Sequence, residues 1–137
     1  MTKEKTKRGL VGGCFDLIHP GYIKMLEDAK SVCDHLVVAL QSDPTVDRPN
    51  SHKRKPIQTI EEREIILCAI RWVDEIIKYT TEEELYNILK TQNIDIRILG
   101  SDYKDKNYTG DDLGIDVYFH ERDHEWSATS LRARITE

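Results

Sequence analysis

The chain has 137 residues, of which 39% are hydrophobic, enough for one domain with a modest core. No apolar run approaches the length of a membrane span and no secretory leader is recognisable, so we expect a cytoplasmic protein without a membrane partner. A formal net charge of −5 argues against a nucleic-acid partner, and three widely spaced cysteines without a CxxC pair predict neither disulfides nor a zinc cluster.

Short apolar segments alternate with amphipathic segments along the chain, a pattern typical of α/β proteins. The apolar segments predict five strands, over residues 8–12, 35–40, 73–78, 94–99 and 115–119. The amphipathic segments predict four helices, which begin at Pro20 or directly after the capping residues Thr59, Thr81 and Ser127. This alternation predicts an α/β fold: a Rossmann-like, doubly wound sheet of five parallel strands in a single domain.

Two segments lie outside these elements. Residues 1–7 are predicted to form a flexible tail, which leaves residues 8–137 as the domain. The connection over residues 41–58 is long and polar, and a connection of that length inside a small domain usually has a function. Its basic residues, Lys53 and Lys55 among them, suit a small polyanion.

The first strand leads into an unusual turn, GGCFDLIHPGY, over residues 12–22. A glycine turn that feeds a helix N-terminus suits phosphate, because unpaired N–H groups point outward and glycine permits close approach. His19 and Tyr22 are three residues apart in the first helical turn and therefore share a face. Ligands of doubly wound sheets bind beyond the carboxyl ends of the strands, where this turn, the 41–58 connection and the segments 100–103 and 122–129 are all predicted to lie.

Several segments resemble, in kind and order, motifs of the cytidylyltransferase-like nucleotidyltransferases. GGCFDLIHPGY resembles the motif GxFDxxHxGH, and RDHEWSATSLR near the C-terminus resembles the motif that closes the nucleotide site. The resemblance covers nearly all of residues 8–135, and the small size is similar to that of glycerol-3-phosphate cytidylyltransferases. The segments SDPTVDRP, KPI and GSDYKDKNYTG also resemble adenylyltransferases that act on heptose 1-phosphate.

The resemblance implies a reaction in which a phosphorylated substrate attacks the α-phosphate of a nucleoside triphosphate and pyrophosphate is released. CTP with a phosphorylated polyol such as glycerol 3-phosphate is the expected pair, and ATP with a sugar phosphate such as heptose 1-phosphate is the alternative. The resemblance also implies Mg²⁺ as cofactor and a homodimer. Such a reaction requires the two anions to be brought in line and their charge to be stabilised.

Site residues follow from the chemistry of these motifs together with the resemblance. Catalytic roles fall to His19, Tyr22, Lys55, Arg63 and Arg122. Binding of the nucleotide falls to Gly12, Gly13, Cys14, Phe15, Asp16, Gly21, Lys53, Gly100, Asp102, Ser127 and Thr129. Histidine at a helix start can donate to a phosphate oxygen, and arginine suits bidentate contact with phosphate.

Some of these residues have a purely structural alternative. Arg63 alternatively lies exposed on its helix beside a glutamate, and Ser127 and Thr129 alternatively only cap the last helix. Asp16 is expected to order the turn or to help hold Mg²⁺, and Phe15 to pack on the ligand. No protein-only metal site is expected.

Tyr22 departs from the family motif, which has a second histidine at its position. A phenol donates a hydrogen bond but carries no positive charge at neutral pH, whereas imidazole can. Three interpretations stay open: an active variant that uses the hydroxyl, a weakened enzyme or nucleotide-binding protein, or an introduced substitution.

Overall fold

The structure, a computed structural model, describes residues 6–49 and 54–136. In this part of the chain nine helices and strands alternate, except that no α-helix separates the last two strands. In chain order they are β1 (Arg8–Gly13), α1 (Pro20–Ser31), β2 (His35–Gln41), α2 (Ile60–Cys68), β3 (Glu75–Tyr79), α3 (Glu82–Thr91), β4 (Ile96–Gly100), β5 (Asp116–His120) and α4 (Ala128–Ile135). None of the helices in these two ranges is long and apolar enough to cross a membrane.

The five strands form one parallel sheet in the order β3-β2-β1-β4-β5. From β1 the chain moves outward through β2 and β3, and it then returns to the other side of β1 to add β4 and β5. Connections that leave neighbouring strands in opposite directions open a crevice above the carboxyl ends of β1 and β4. The predicted Rossmann-like α/β sheet is therefore confirmed, and the switch in strand order fixes where a ligand can enter.

Two apolar layers hold helices against the sheet. One face packs against α1 and α2 through Val11, Leu26, Leu36, Val38, Leu40, Leu67, Ile96 and Ile98. The other packs against α3 through Leu10, Val37, Ala39, Tyr79, Leu85, Leu89 and Ile94. Both faces of the central strands are thus covered, as their continuous apolar runs predicted.

The three predicted side-chain caps, at the starts of α2, α3 and α4, are present. The Thr59 hydroxyl accepts from the Glu62 N–H at 3.1 Å, and the Glu62 carboxylate accepts from the Thr59 N–H at 2.9 Å, which completes a capping box. Thr81 caps α3, but the reciprocal carboxylate of Glu84 accepts from the N–H of Thr80 instead. The Ser127 hydroxyl accepts from Ser130 N–H at the start of α4.

The strands begin up to two residues later than predicted, and the side chains of two aspartates explain two of these shifts. Just before β3, the Asp74 carboxylate accepts from the Leu36 N–H at 2.8 Å. Just before β4, the Asp95 carboxylate accepts from the Arg8 N–H at 2.9 Å. Each aspartate therefore satisfies the edge of a neighbouring strand with its side chain, and the ladder begins only after it. Two short 3₁₀ turns, Ser101–Tyr103 and Asp111–Leu113, were not predicted.

The predicted flexible tail falls mostly on residues 1–5, outside the described residues. Lys7 is tied to the fold, since its carbonyl accepts from the N–H groups of Asp34 and His35.

Replacing the capping residue of α2 tests how much the box contributes. We expect Thr59→Ala to lower the free energy of unfolding by about 1 kcal/mol, because the Glu62 N–H loses the hydroxyl that accepts from it. Thr91→Ala is the matched control, since the Thr91 hydroxyl only donates to a carbonyl in the last turn of α3. Urea unfolding of both variants measures the difference, and equal losses would contradict the assigned role of the box.

Candidate active site

The connection from β1 to α1 is held in a sparsely populated backbone conformation. Phe15 and Leu17 have φ values of 52° and 53°, in the left-handed region that bulky residues avoid. Such residues cost on the order of 1–3 kcal/mol each and persist only where the surroundings fix them. Here the Phe15 ring is buried in the core, and the Leu17 N–H donates to the Gln58 carboxamide at 2.9 Å. The expectation that Phe15 packs on a ligand is therefore wrong.

Asp16 joins this turn to two distant segments. Its Oδ1 accepts from the N–H of Gln58 at 2.9 Å, and its Oδ2 accepts from the N–H of Ile57 at 2.8 Å. The Arg132 guanidinium of α4 donates to the same Oδ2 at 2.7 Å. With these three donors and only 4% of the residue exposed, Asp16 orders the turn.

The described residues do not by themselves form a binding site for the expected Mg²⁺. Asp16, the candidate ligand, already accepts three hydrogen bonds, one of them from a guanidinium. Within residues 6–49 and 54–136, no three histidine, cysteine or acidic side chains are grouped so that they could hold a metal ion.

His19 is both the cap of α1 and a wall of the site. Its Nδ1 accepts from the Gly21 N–H at 3.1 Å. Burial, followed by the electrostatic effects of His124 and Arg122, lowers the pKa of His19. The ring is therefore neutral at neutral pH, and with Nδ1 accepting, its proton lies on Nε2. A Cβ at Gly21 would collide with ring atoms of His19 and His124, so a larger residue there would displace these two rings.

Tyr22 lies against His19, with ring centroids 4.3 Å apart. Burial is the main cause that raises the pKa of Tyr22 to about 12, and the fields of Cys14 and Asp16 add to it. The phenol therefore stays protonated and can donate a hydrogen bond throughout the physiological range. A donor pair of two neutral groups, His19 and Tyr22, lies at the start of α1.

Two pockets open at the carboxyl edge of the sheet, and they share the side chains of Tyr22 and Met25 and the backbone at Gly100. The larger has a volume of about 380 Å³, and the smaller about 250 Å³. Two compartments that meet at one wall are suited to two substrates that must react with each other.

The smaller pocket collects some of the residues expected near the nucleotide and two of the expected catalytic residues besides Tyr22. Its lining includes His19, Gly21, Gly100, Asp102, Arg122, Trp126 and Ser127. Ser127 caps α4, so the N-terminus of that helix lies at this pocket. Arg122 donates to the carbonyls of His124 and Trp126 at 3.2 and 2.7 Å, which stiffens the segment leading into α4. The exposed Thr129 is not part of the lining.

The larger pocket lies over the end of β1 and the loop after β4. Gly12, Gly13 and Cys14, which were expected to bind the nucleotide, line this pocket and not the smaller one. Lys55 is exposed and lines neither pocket, and Lys53 lies outside the described residues.

Arg63 has a different role from either one expected of it. It is 1% exposed and lines neither pocket, so it is neither a phosphate ligand nor a surface partner of a glutamate. Its guanidinium donates to five backbone carbonyls, those of Cys14, Gln41, Ser42, Gln58 and Thr59, over distances of 2.6 to 3.3 Å. Arg63 thereby fixes the ends of β1 and β2 and the start of α2, and so positions the site from behind.

The sequence did not predict three buried polar residues of the pockets, Gln41, Arg97 and His120. Arg97 of β4 is 4% exposed and lines the larger pocket, and its place inside the apolar run IDIRIL was a pattern that could have revealed it. His120 of β5 lines the smaller pocket and is held through Nδ1 by Asp28 at 2.7 Å. No residue pattern around His120 pointed to this pair.

Known proteins resemble this chain in sequence and in fold. The family model described as "Cytidylyltransferase-like" matches residues 10–132, almost the whole chain. The chain belongs to this family. The motif resemblance noted above is thereby confirmed.

Among relatives, the cytidylyltransferase-like chain is 32% identical to the bifunctional protein HldE of Caulobacter vibrioides over 133 residues, 94% of this chain and 27% of that protein. It is 34% identical to HldE of Gluconacetobacter diazotrophicus over 105 residues, 77% of this chain and 21% of that protein. The chain thus spans about a quarter of the length of these relatives.

Solved structures share the fold. A lipopolysaccharide core biosynthesis protein from Thermoplasma volcanium is 26% identical, with a TM-score of 0.66 over 89% of this chain and 100% of its own. A pantoate–β-alanine ligase from Francisella tularensis is 16% identical, with a TM-score of 0.64 over 98% of this chain and 71% of its own, a likeness in fold alone.

Removing the buried guanidinium tests its positioning role. We expect Arg63→Met to lower the free energy of unfolding by about 3 kcal/mol or more, because several buried carbonyls lose their donors. Arg71→Met, on an exposed arginine that stacks over Trp72, should change it by less than about 0.5 kcal/mol. Urea unfolding gives both values, and a stable Arg63→Met protein would show that the carbonyl contacts are dispensable.

Proposed function

We propose that the protein catalyses nucleotidyl transfer from a nucleoside triphosphate to a phosphorylated small molecule. The observation that carries this proposal is the shared wall of the two pockets, where Tyr22 lines both and its ring packs against His19 of the smaller pocket. Membership in the cytidylyltransferase-like family supports it. The smaller pocket would hold the nucleotide and the larger one the acceptor.

In the proposed reaction, a phosphate oxygen of the acceptor attacks the α-phosphorus as the bond to the β-bridging oxygen breaks. Pyrophosphate leaves, and no proton has to be removed from the nucleophile because the acceptor phosphate is already anionic. His19 would donate from Nε2, and Tyr22 from its hydroxyl, to oxygens of the transferring phosphate as charge moves onto the leaving group. Arg122 and the N-terminus of α4 at Ser127 would bind the β- and γ-phosphates.

For the donor and acceptor, we propose ATP and a sugar phosphate such as heptose 1-phosphate. The relatives described above are HldE proteins, and three segments of this chain resemble adenylyltransferases that act on heptose 1-phosphate. A solved relative is a lipopolysaccharide core biosynthesis protein, which points in the same direction. This pair takes precedence over CTP with glycerol 3-phosphate. Mg²⁺ would enter with the triphosphate, bound by phosphate oxygens and water. The homodimer stays a prediction.

A second candidate function is nucleotide binding without turnover. It is favoured by Tyr22, because a phenol with a pKa of about 12 supplies no positive charge where the family motif has a second histidine.

The test of the proposal is pyrophosphate release. ATP and CTP are each incubated with Mg²⁺ and with glycerol 3-phosphate or heptose 1-phosphate, and we expect the fastest release from ATP with heptose 1-phosphate. Release with CTP and glycerol 3-phosphate alone would restore the first expectation. Binding of ATP by calorimetry with no release from any pair would favour the second candidate.

His19 can be replaced without losing its cap. We expect His19→Asn to lower kcat by about 10²–10³, because asparagine still caps a helix but lacks the Nε2 donor. Its free energy of unfolding should stay within about 1 kcal/mol of the wild type. His35→Asn is the control, since His35 contacts Glu75 at the opposite edge of the sheet and lines neither pocket. An unchanged kcat in His19→Asn would exclude the assigned role.

Tyr22 decides between the two candidate functions. If the hydroxyl is the donor, Tyr22→Phe lowers kcat by about 10²–10³. Because the pKa of Tyr22 is raised to about 12, wild-type kcat should show no loss of this donor up to pH 10, where an ordinary tyrosine is half ionised. A pH profile of both proteins measures this, with Tyr22→His beside them. A histidine variant far faster than the wild type would indicate that the natural site has lost turnover.

A further inference from the structure

Tyr79, the last residue of β3, brings a hydroxyl group to the larger pocket. Its side chain belongs to the apolar layer between the sheet and α3, and only 5% of the residue is exposed. It nevertheless lines the larger pocket. Burial is the main cause that raises the pKa of Tyr79, and the field of Glu82 adds to it, so the phenol stays protonated and can donate a hydrogen bond.

The protein provides no partner for this hydroxyl group. Among residues 6–49 and 54–136, no hydrogen bond reaches it. Its oxygen is also absent from the unpartnered polar atoms that the fold seals from solvent, such as Nε2 of His120, so it is open to the pocket. A buried tyrosine hydroxyl normally has a partner, which a molecule bound in the pocket can supply here.

The space beside the hydroxyl group is open because the end of β1 has no side chains. Gly12 is exposed and lines the same pocket. A Cβ at Gly12 would lie 3.7 Å from the Tyr79 hydroxyl oxygen and, apart from its chain neighbours, would meet no atom more closely. The gap between Gly12 and Tyr79 therefore accommodates a group of at least the size of a methyl group.

The side chains of Tyr79 and Tyr22 belong to different faces of the sheet. Tyr22, which forms the shared wall of the pockets, packs against the layer that holds α1 and α2, whereas Tyr79 belongs to the layer that holds α3. The charged side chains that act on the two phenols differ accordingly, since Asp16 acts on Tyr22 and Glu82 acts on Tyr79. An acceptor with a single phosphate, bound so that this phosphate reacts at the wall, therefore reaches Tyr79 with another of its groups.

We propose that the Tyr79 hydroxyl binds a hydroxyl group of the acceptor's sugar and thereby determines which acceptor is used. This inference rests on the proposed function and narrows its substrate class to a polyhydroxy phosphate with a hydroxyl group that extends past the glycine end of β1 to Tyr79. Tyr103 and Asn107, neutral polar residues of the same pocket, suit further hydroxyl groups. A phosphorylated compound without such a hydroxyl leaves the buried phenol unpaired and binds less tightly.

Calorimetry with heptose 1-phosphate and its monodeoxy analogues tests the proposal, in the presence of α,β-methylene-ATP, whose bridge between the α- and β-phosphorus atoms is not cleaved. Tyr79→Phe keeps the ring and its packing, and it should bind heptose 1-phosphate about tenfold more weakly than the wild type does. One analogue, which lacks the partner hydroxyl, should bind the wild type about tenfold more weakly than heptose 1-phosphate does. Tyr79→Phe should bind that analogue and heptose 1-phosphate alike.

Two further variants locate the contact. Tyr86→Phe is the matched control, since it removes a hydroxyl that donates to Asp112 outside both pockets, and its affinity should equal that of the wild type. Gly12→Ala fills the gap beside the Tyr79 hydroxyl and should weaken the binding of heptose 1-phosphate. It should not unfold at a lower urea concentration, because the added methyl group meets no atom at less than ordinary contact distance.

The proposal is overturned if the wild type does not bind heptose 1-phosphate or if Tyr79→Phe binds it as tightly as the wild type does. It is also overturned if Tyr79→Phe discriminates against every analogue as the wild type does, which is the result expected of a contact with the phosphate. Equal affinities together with pyrophosphate release would overturn this inference alone. Absence of pyrophosphate release from any pair would contradict the proposed function, whereas the binding comparison needs no turnover.

Discussion

The buried guanidinium of Arg63 is the contact on which the geometry of the site depends. Five carbonyl oxygens converge on it from the ends of β1 and β2 and from the start of α2. Strand ends expose carbonyl groups that the sheet itself does not satisfy, and a planar fork of donors can bind several of them at once. Because these carbonyls are fixed, the turn after β1 can keep Phe15 and Leu17 in left-handed conformations.

The chemistry of the site is built largely from neutral donors at its centre and charged groups at its edges. Burial keeps His19 uncharged and Tyr22 protonated. No charge is therefore buried on these two side chains, and the free-energy cost of desolvating an ion does not arise there. Arg122 lies exposed beside the smaller pocket, whereas Arg97 lies deep in the larger one. This distribution leaves hydrogen bonding as the main means of stabilising charge at the wall.

Sequence patterns predicted the sheet, the helix caps and the segments that meet at its carboxyl edge, because these depend on local periodicity and on parallel topology. They failed where a side chain's role depends on burial. The pattern around Arg63 is compatible with a phosphate ligand, and only the fold shows that carbonyls already use its donors. Phe15 was misplaced for the same reason, since its left-handed φ turns the ring into the core. The Asp16–Arg132 ion pair could not be predicted, because residues that are distant in the sequence leave no local pattern when they pair.

That pair has a consequence for how the protein acquires its site. Asp16 and Arg132 are separated by 116 positions, and α4 also supplies the Ser127 edge of the smaller pocket. During synthesis, β1 and α1 emerge from the ribosome long before α4 is available. The turn at the entrance of α1 thus reaches its final set of contacts only after α4 has been released. Completion of the smaller pocket is therefore a late, high-contact-order event, and a nascent chain that has not yet released α4 lacks that wall of the pocket.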